Sequence, residues 1–223
     1  MRKILLGLAA SLLISSSAFA GGFGVGVSGS LFNIDADVTE TTTAGTVAGG
    51  SANTNKGSVS HDGVLIGSLF AEYTFDAYPV TIGFDYTPGE ADVSKNFQSR
   101  TETPASGQNA ASSTTYKANA SIENLMALYA EIPVYNNVYI KGGMTQVDVN
   151  TDDSGVAAYG NATDEQGYIY GIGITSGRDS GLNYKFAYEV IDFDTINVKS
   201  SSGNNVAGDI DTAGVRVSVV YNF

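Results

Sequence analysis

The chain has 223 residues, no cysteine, 27 glycines and a formal charge of −12. Those figures exclude a disulfide framework or a cysteine metal site, and so acidic a chain is a poor partner for nucleic acid. The length suits one domain.

The first element is "MRKILLGLAASLLISSSAFA": two cations (Arg2, Lys3), an apolar stretch over about 4–14, then small residues closing in Ala18-Phe19-Ala20. This order predicts a secretory signal peptide over 1–20, cleaved after Ala20. The apolar stretch is too short for a spanning helix, which needs about 20 apolar residues. Cleavage leaves one domain, 21–223, and shifts the charge from −12 to −14. No second long apolar run follows, so a membrane location requires a closed barrel, in which every backbone group finds a partner without lipid.

Period-2 alternation recurs along the remaining chain and predicts eight strands. The first runs from about Phe23 to Asp37 and the second from about Gly63 to Phe75. The third starts at Pro79 and carries Val80, Ile82, Phe84 and Tyr86. The fourth ends near Glu131, with Leu125, Ala127 and Tyr129 on its apolar face. The fifth starts near Asn137 and carries Val138, Ile140, Gly142 and Met144. The sixth carries Tyr168, Tyr170, Ile172 and Ile174. The seventh carries Leu182, Tyr184, Phe186, Tyr188 and Val190. The eighth carries Val215, Val217, Val219, Tyr221 and Phe223. Tight turns at 76–79, 133–137 and 176–181 alternate with long Ser/Thr/Asn/Gly-rich stretches at about 38–62, 94–114, 151–164 and 196–208, expected to be solvated loops. Short turns on one side and long loops on the other are the plan of an outer-membrane barrel. The expected fold is therefore all-β, an eight-stranded antiparallel up-and-down transmembrane barrel.

The two faces differ in kind. The apolar face carries aromatics in two groups: Phe23, Tyr73, Phe75, Tyr129, Tyr184, Tyr221 and Phe223 toward the short turns, and Tyr86, Tyr168, Tyr170 and Tyr188 toward the long loops. Two aromatic girdles fit a barrel in a bilayer. The opposite face holds glycine, serine and a few charges, as the narrow interior of an eight-stranded barrel requires. The charges nearly balance: Glu72, Asp85 and Glu189 against Lys141, Lys185 and Arg216. Buried charges persist when paired, so these six are expected to form an ion-pair network across the lumen.

The terminal stretch "VRVSVVYNF", with Tyr221 and Phe223 at its aromatic positions, resembles the last strand of bacterial outer-membrane proteins. With "LYAEIPVYNNVYIKGG" (128–143), the eight strands and the leader, the mature chain resembles the OmpA/OmpX-type family of small outer-membrane barrels. The resemblance implies an integral outer-membrane location, contact with its lipid, and recognition of Tyr221 and Phe223 by the barrel-assembly machinery. The inward charges resemble the lumenal salt-bridge gate of the OmpA transmembrane domain. A counterpart of the peptidoglycan-binding domain of full-length OmpA is not expected, so a cell-wall tether is not implied.

Little points to catalysis. Ser60, His61 and Asp62 are consecutive, so in a strand they alternate faces and form no relay. "DVNTDDSG" (148–155) lacks the glycine and the closing glutamate of an EF-hand loop, leaving weak divalent-cation binding by Asp148, Asp152 and Asp153 as the most it suggests. The glycines of "GGFGVGVSG" precede no helix and make no phosphate loop. The expectation is a non-enzymatic monomer without cofactor, structural or surface-interacting, with any external ligand meeting the loops. A small porin or gated channel is the alternative, because inward glycines could leave a water path.

Overall fold

In the computed structural model, residues 21–41, 54–75, 78, 80–93, 98–102, 114–154, 160–199 and 205–223 are described. The expected leader, 1–20, and the centres of the long connections lie outside them. The described residues form ten strands and no helix: β1 Gly21–Thr41, β2 Thr54–Phe75, β3 Thr81–Asp92, β4 Gln98–Glu102, β5 Thr114–Tyr135, β6 Val138–Ser154, β7 Ala162–Thr175, β8 Gly181–Phe193, β9 Ile196–Lys199 and β10 Asn205–Asn222.

Eight of these make a ring. Each of β1, β2, β3, β5, β6, β7, β8 and β10 pairs antiparallel with the next, and β10 returns to β1. The closing ladder is long, running from Gly24↔Asn222 to Thr41↔Asn205. Two short strands extend it at the long-loop end, β4 on β5 and β9 on β10. This is the expected antiparallel up-and-down barrel, with no open edge at the point where its ends meet. The hairpin between β5 and β6 turns on Asn136, whose left-handed φ of 46° asparagine tolerates.

The strands reach further than their apolar pattern. The expected loop at 38–62 is strand up to Thr41 and again from Thr54. Parts of the stretches at 94–114, 151–164 and 196–208 are likewise strand. Their Ser/Thr/Asn-rich composition hides pairing that the neighbouring strand imposes. An apolar interior also holds this extension together: Ile34, Ala36, Ile122, Val149, Ile196 and Ile210 pack in one buried cluster.

The outer surface inverts the usual order. Val27, Leu31, Leu69, Tyr168, Ile172, Tyr184, Phe186, Val217 and Phe223 are all exposed. A contiguous apolar surface of this kind marks a lipid or partner contact. Toward the long loops it gives way to acids: Asp35, Asp211 and Asp192 stand directly opposite one another across β1, β10 and β8. Burial, then the neighbouring Asp192, raises the Asp211 carboxyl above its usual range. A carboxyl held high in the fold opposes folding while ionised, and the penalty is relieved as pH falls through its folded value. Asp211→Asn is therefore expected to stabilise the barrel by a few tenths of a kcal/mol at neutral pH, as for a like-charged cross-strand pair, and the gain should fade in acid. Urea unfolding at the two pH values checks this.

Candidate functional site

The inward phase of six strands brings the charged residues together. Lys185 Nζ on β8 lies 2.6 Å from Glu72 Oε2 on β2 and 2.8 Å from Glu131 Oε2 on β5. Lys141 Nζ on β6 meets Glu189 Oε1 on β8 at 2.8 Å. On β10, Arg216 Nη1 meets Asp85 Oδ2 of β3 at 2.5 Å, and its Nε lies 2.8 Å from Glu189 Oε2. The last contact is ionic; its N–H direction misses hydrogen-bond geometry. These side chains are all nearly sealed from solvent, with Glu189 only 1% exposed. At such depth an unpaired charge is costly, so each residue depends on partners from other strands.

Neutral groups complete the layer. Ser68 Oγ donates to Asp85 Oδ2 at 2.9 Å and lies 2.6 Å from Ser28 Oγ of β1. Tyr129 donates its hydroxyl to Glu72 Oε2 at 3.4 Å, and Lys141 Nζ sits 4.0 Å from the centre of the Tyr129 ring. Such a cation over an aromatic face is itself favourable.

All six sequence-predicted lumenal residues, Glu72, Asp85, Lys141, Lys185, Glu189 and Arg216, thus lie in one connected set. On β2, Tyr73, expected in the outer girdle, is buried at 6% exposure; two further expectations need correction, both on β5. Tyr129 faces the lumen with Leu125 and Ala127, all three buried, and is absent from the outer girdle. Glu131 is a seventh member, so four carboxylates face three cations. In "ENLMALYAEI" both period-2 phases are apolar, so alternation leaves the face open. A register shift between Glu123 and Met126 further alters the phase. The usable signal was Glu131 itself: it shares a phase with Tyr129, and a carboxylate cannot face the apolar side.

On the channel alternative the inward glycines would leave a water path. They instead make seats for rings. A Cβ on Gly83 would collide with the Tyr129 ring, one on Gly26 with Phe70, and one on Gly173 would lie 2.5 Å from Tyr139 Cζ. Side chains thus fill the space beside the charge layer, as in other small barrels. Gly83→Ala is expected to cost about 1–3 kcal/mol, the usual penalty of overpacking. Gly142→Ala on β6, where a Cβ meets nothing within 4 Å, should be near neutral. Urea unfolding of both variants in lipid vesicles measures the difference.

The other candidate residues stand apart from this layer. His61 Nδ1 donates to the Asp92 carbonyl at 2.9 Å, and Ser60 and Asp62 are exposed on either side of it. Asp148 accepts from the Asp164 backbone N–H at 3.1 Å and from Asn124 Nδ2 at 3.2 Å. Among the described residues no group of His, Asp or Glu is placed to hold a metal ion. At the short-turn rim, Phe223 is 69% exposed, its N–H donates to the Phe23 carbonyl at 2.8 Å, and its ring stacks on Phe23 and meets Tyr221 edge-on.

No protein-family model and no curated protein matches the chain. Among solved structures it is similar to the outer-membrane protease OmpT of Escherichia coli, at 9% identity over 90% of this chain and 97% of that one, TM-score 0.47. It is also similar to the outer-membrane protein OprG of Pseudomonas aeruginosa, at 10% identity over 92% and 98%, TM-score 0.44. A third is Ail, the attachment invasion locus protein of Yersinia pestis, at 12% identity over 88% and 98%, TM-score 0.37. The closed sheet, rather than these distant likenesses, establishes the barrel.

Proposed function

We propose that the chain is a bacterial outer-membrane barrel on the small OmpA/OmpX-like plan, with a closed lumen and a structural or surface-interaction role. In this reading residues 1–20 direct export and are removed, the apolar outer surface contacts membrane lipid, and the long connections face outward, where an external ligand would be met. The protein acts as a monomer and performs no catalysis. The observation that carries the closed lumen is the charge layer: Lys185 on β8 reaches Glu72 on β2 and Glu131 on β5, and Arg216 on β10 reaches Asp85 on β3, at 2.5–2.8 Å across the ring, with rings filling the space beside them. Eight-stranded barrels have interiors that side chains fill, whereas aqueous channels accompany about 16–18 strands.

One observation favours a gated channel instead. Lys185 serves both Glu72 and Glu131, so a rearrangement could release one carboxylate and open a polar path. Single-channel recording of the refolded protein in planar bilayers separates the two. Absence of conductance supports the closed barrel; steady, cation-preferring openings support the channel.

Assembly has its own test. Deleting Phe223 is expected to lower the yield in the outer membrane, because it removes the exposed terminal ring that caps the closing β1–β10 ladder. Unchanged yield, with heat-modifiable migration intact, would refute a role for that residue in recognition by the assembly machinery.

A further inference from the structure

The wall of the barrel is incomplete between β2 and β3. Their ladder has six pairs, from Thr74↔Thr81 to Leu69↔Tyr86. Both strands continue beyond it, each in ladder pairing, among the described residues, with its other neighbour alone: β2 with β1 to Thr41↔Thr54, and β3 with β5 to Asp92↔Ser121. Next to the break stand Pro88, which has no N–H to offer a ladder, and Gly89, at a φ of 105°. A Cβ built on Gly63 or Gly89 meets nothing within 4 Å, so the space there is open. The gap ends above at His61, whose Nδ1 reaches across to the Asp92 carbonyl.

The interior behind this gap is apolar. Above the charge layer the lumen is filled by Ile34, Ile122, Leu125, Val147, Ile169 and Ile191. On the intact walls such inward residues are sealed, with Phe32, Ile169 and Ile191 each 2% exposed. Val64 and Ile66, in the inward phase of β2 beside the gap, are only half-buried. The outer sill is apolar as well: Leu65 is 80% exposed and Leu69 56%. An unpaired edge cannot persist deep in hydrocarbon. This one lies at the loop-side margin of the apolar surface, where Asp62, Pro88 and Glu90 are exposed and headgroups and water can reach its backbone groups.

We propose that the gap between residues 62–68 and 87–91 is a lateral window through which the hydrocarbon chain of a membrane lipid enters the apolar outer half of the lumen. A hydrocarbon chain fits because the path from sill to interior, Leu65, Ile66 and Val64 to Leu125, offers it apolar contact. The acids at the rim, Asp62, Glu90 and Asp92, turn away anionic solutes, and the charge layer beneath stops any guest from passing on through the barrel. The window rests on the membrane-barrel reading but not on the absence of conductance, since it opens sideways.

The chain contains neither cysteine nor tryptophan, so introduced residues report without background. Gly67→Cys can be combined with Gly29→Cys, its true ladder partner on β1, or with Pro88→Cys, which would be its partner on β3 if the ladder continued. The first pair is expected to oxidise readily to a disulfide and the second to require a long bis-maleimide; equally ready oxidation of both would mean the wall is continuous and overturn the window. For lipid entry, single tryptophans are placed at Leu65 (outer sill), Ile66 (inward at the window) and Ile191 (inward on an intact wall), in vesicles of phosphatidylcholine with brominated chains. Leu65→Trp and Ile66→Trp are expected to lose most of their emission, and Ile191→Trp to keep it. Adding Gly67→Cys and Pro88→Cys and joining the two thiols with the bis-maleimide should restore the emission at position 66 alone. Quenching at 65 but not at 66, or quenching at 66 by aqueous iodide rather than by bromolipid, would overturn lipid entry. No quenching at 65 would instead overturn the membrane placement. Val64→Trp serves in the same way if Ile66→Trp fails to refold, as judged by heat-modifiable migration.

Discussion

Arg216→Ala is expected to destabilise the refolded barrel by about 3–5 kcal/mol, the usual consequence of removing one member of a buried ion pair. The guanidinium reaches Asp85 on β3 and Glu189 on β8, so its loss leaves Asp85 with Ser68 as its remaining donor. Glu189 retains Lys141. The two acids therefore differ as second sites. Asp85→Asn added to Arg216→Ala should recover part of the stability, because the stranded carboxylate is gone. Glu189→Gln added instead should recover less, because it strands Lys141 in turn. Water entering the vacated space would lower all these figures and would appear as ion leakage in planar bilayers. Urea titration in vesicles and conductance, run on the same variants, check both effects. Neutrality in both would mean that each charge is separately hydrated, and would favour the channel.

Phe186→Arg is expected to cost about 2–4 kcal/mol, the penalty for a cation at the midplane of a barrel's lipid face. Phe186 is the middle of five outward residues on β8, between Leu182 and Tyr184 on one side and Tyr188 and Val190 on the other, and is 49% exposed. Its chain neighbour Ala187 faces inward and is 2% exposed. Ala187→Ser should cost far less than Phe186→Arg, since a hydroxyl in the lumen can find polar partners. The reverse ranking would shift the face assignment of β8 by one residue. A small effect of Phe186→Arg in vesicles would mean that this surface does not meet hydrocarbon.

Where one strand face carries a run of large apolar residues and the other carries the charges, local sequence was enough to read both sides. On β8, Leu182, Tyr184, Phe186, Tyr188 and Val190 against Lys185 and Glu189 admit one arrangement, and on β10 Val215, Val217, Val219 and Tyr221 against Arg216 and Ser218 admit one. On β5 the same reasoning failed, because Leu125, Ala127 and Tyr129 compete with Met126, Leu128 and Ala130, and a bulge shifts the phase between them. The polar strand ends near Thr41, Thr54 and Asn205 were also illegible, since what keeps them in the sheet is the neighbouring ladder rather than their own composition.

The sequence by itself determined the period of the strands, the number that make the ring, and six of the seven charges of the inner layer, because alternation is a property of each strand alone. Only the tertiary structure decided which base meets which acid, that Glu131 joins Glu72 on Lys185, that glycines on one strand seat rings from another, and that the β2–β3 ladder stops at Leu69↔Tyr86. Each of these depends on the stagger with which tilted strands close into a cylinder. That stagger is fixed jointly by all eight strands and is written in none of them singly.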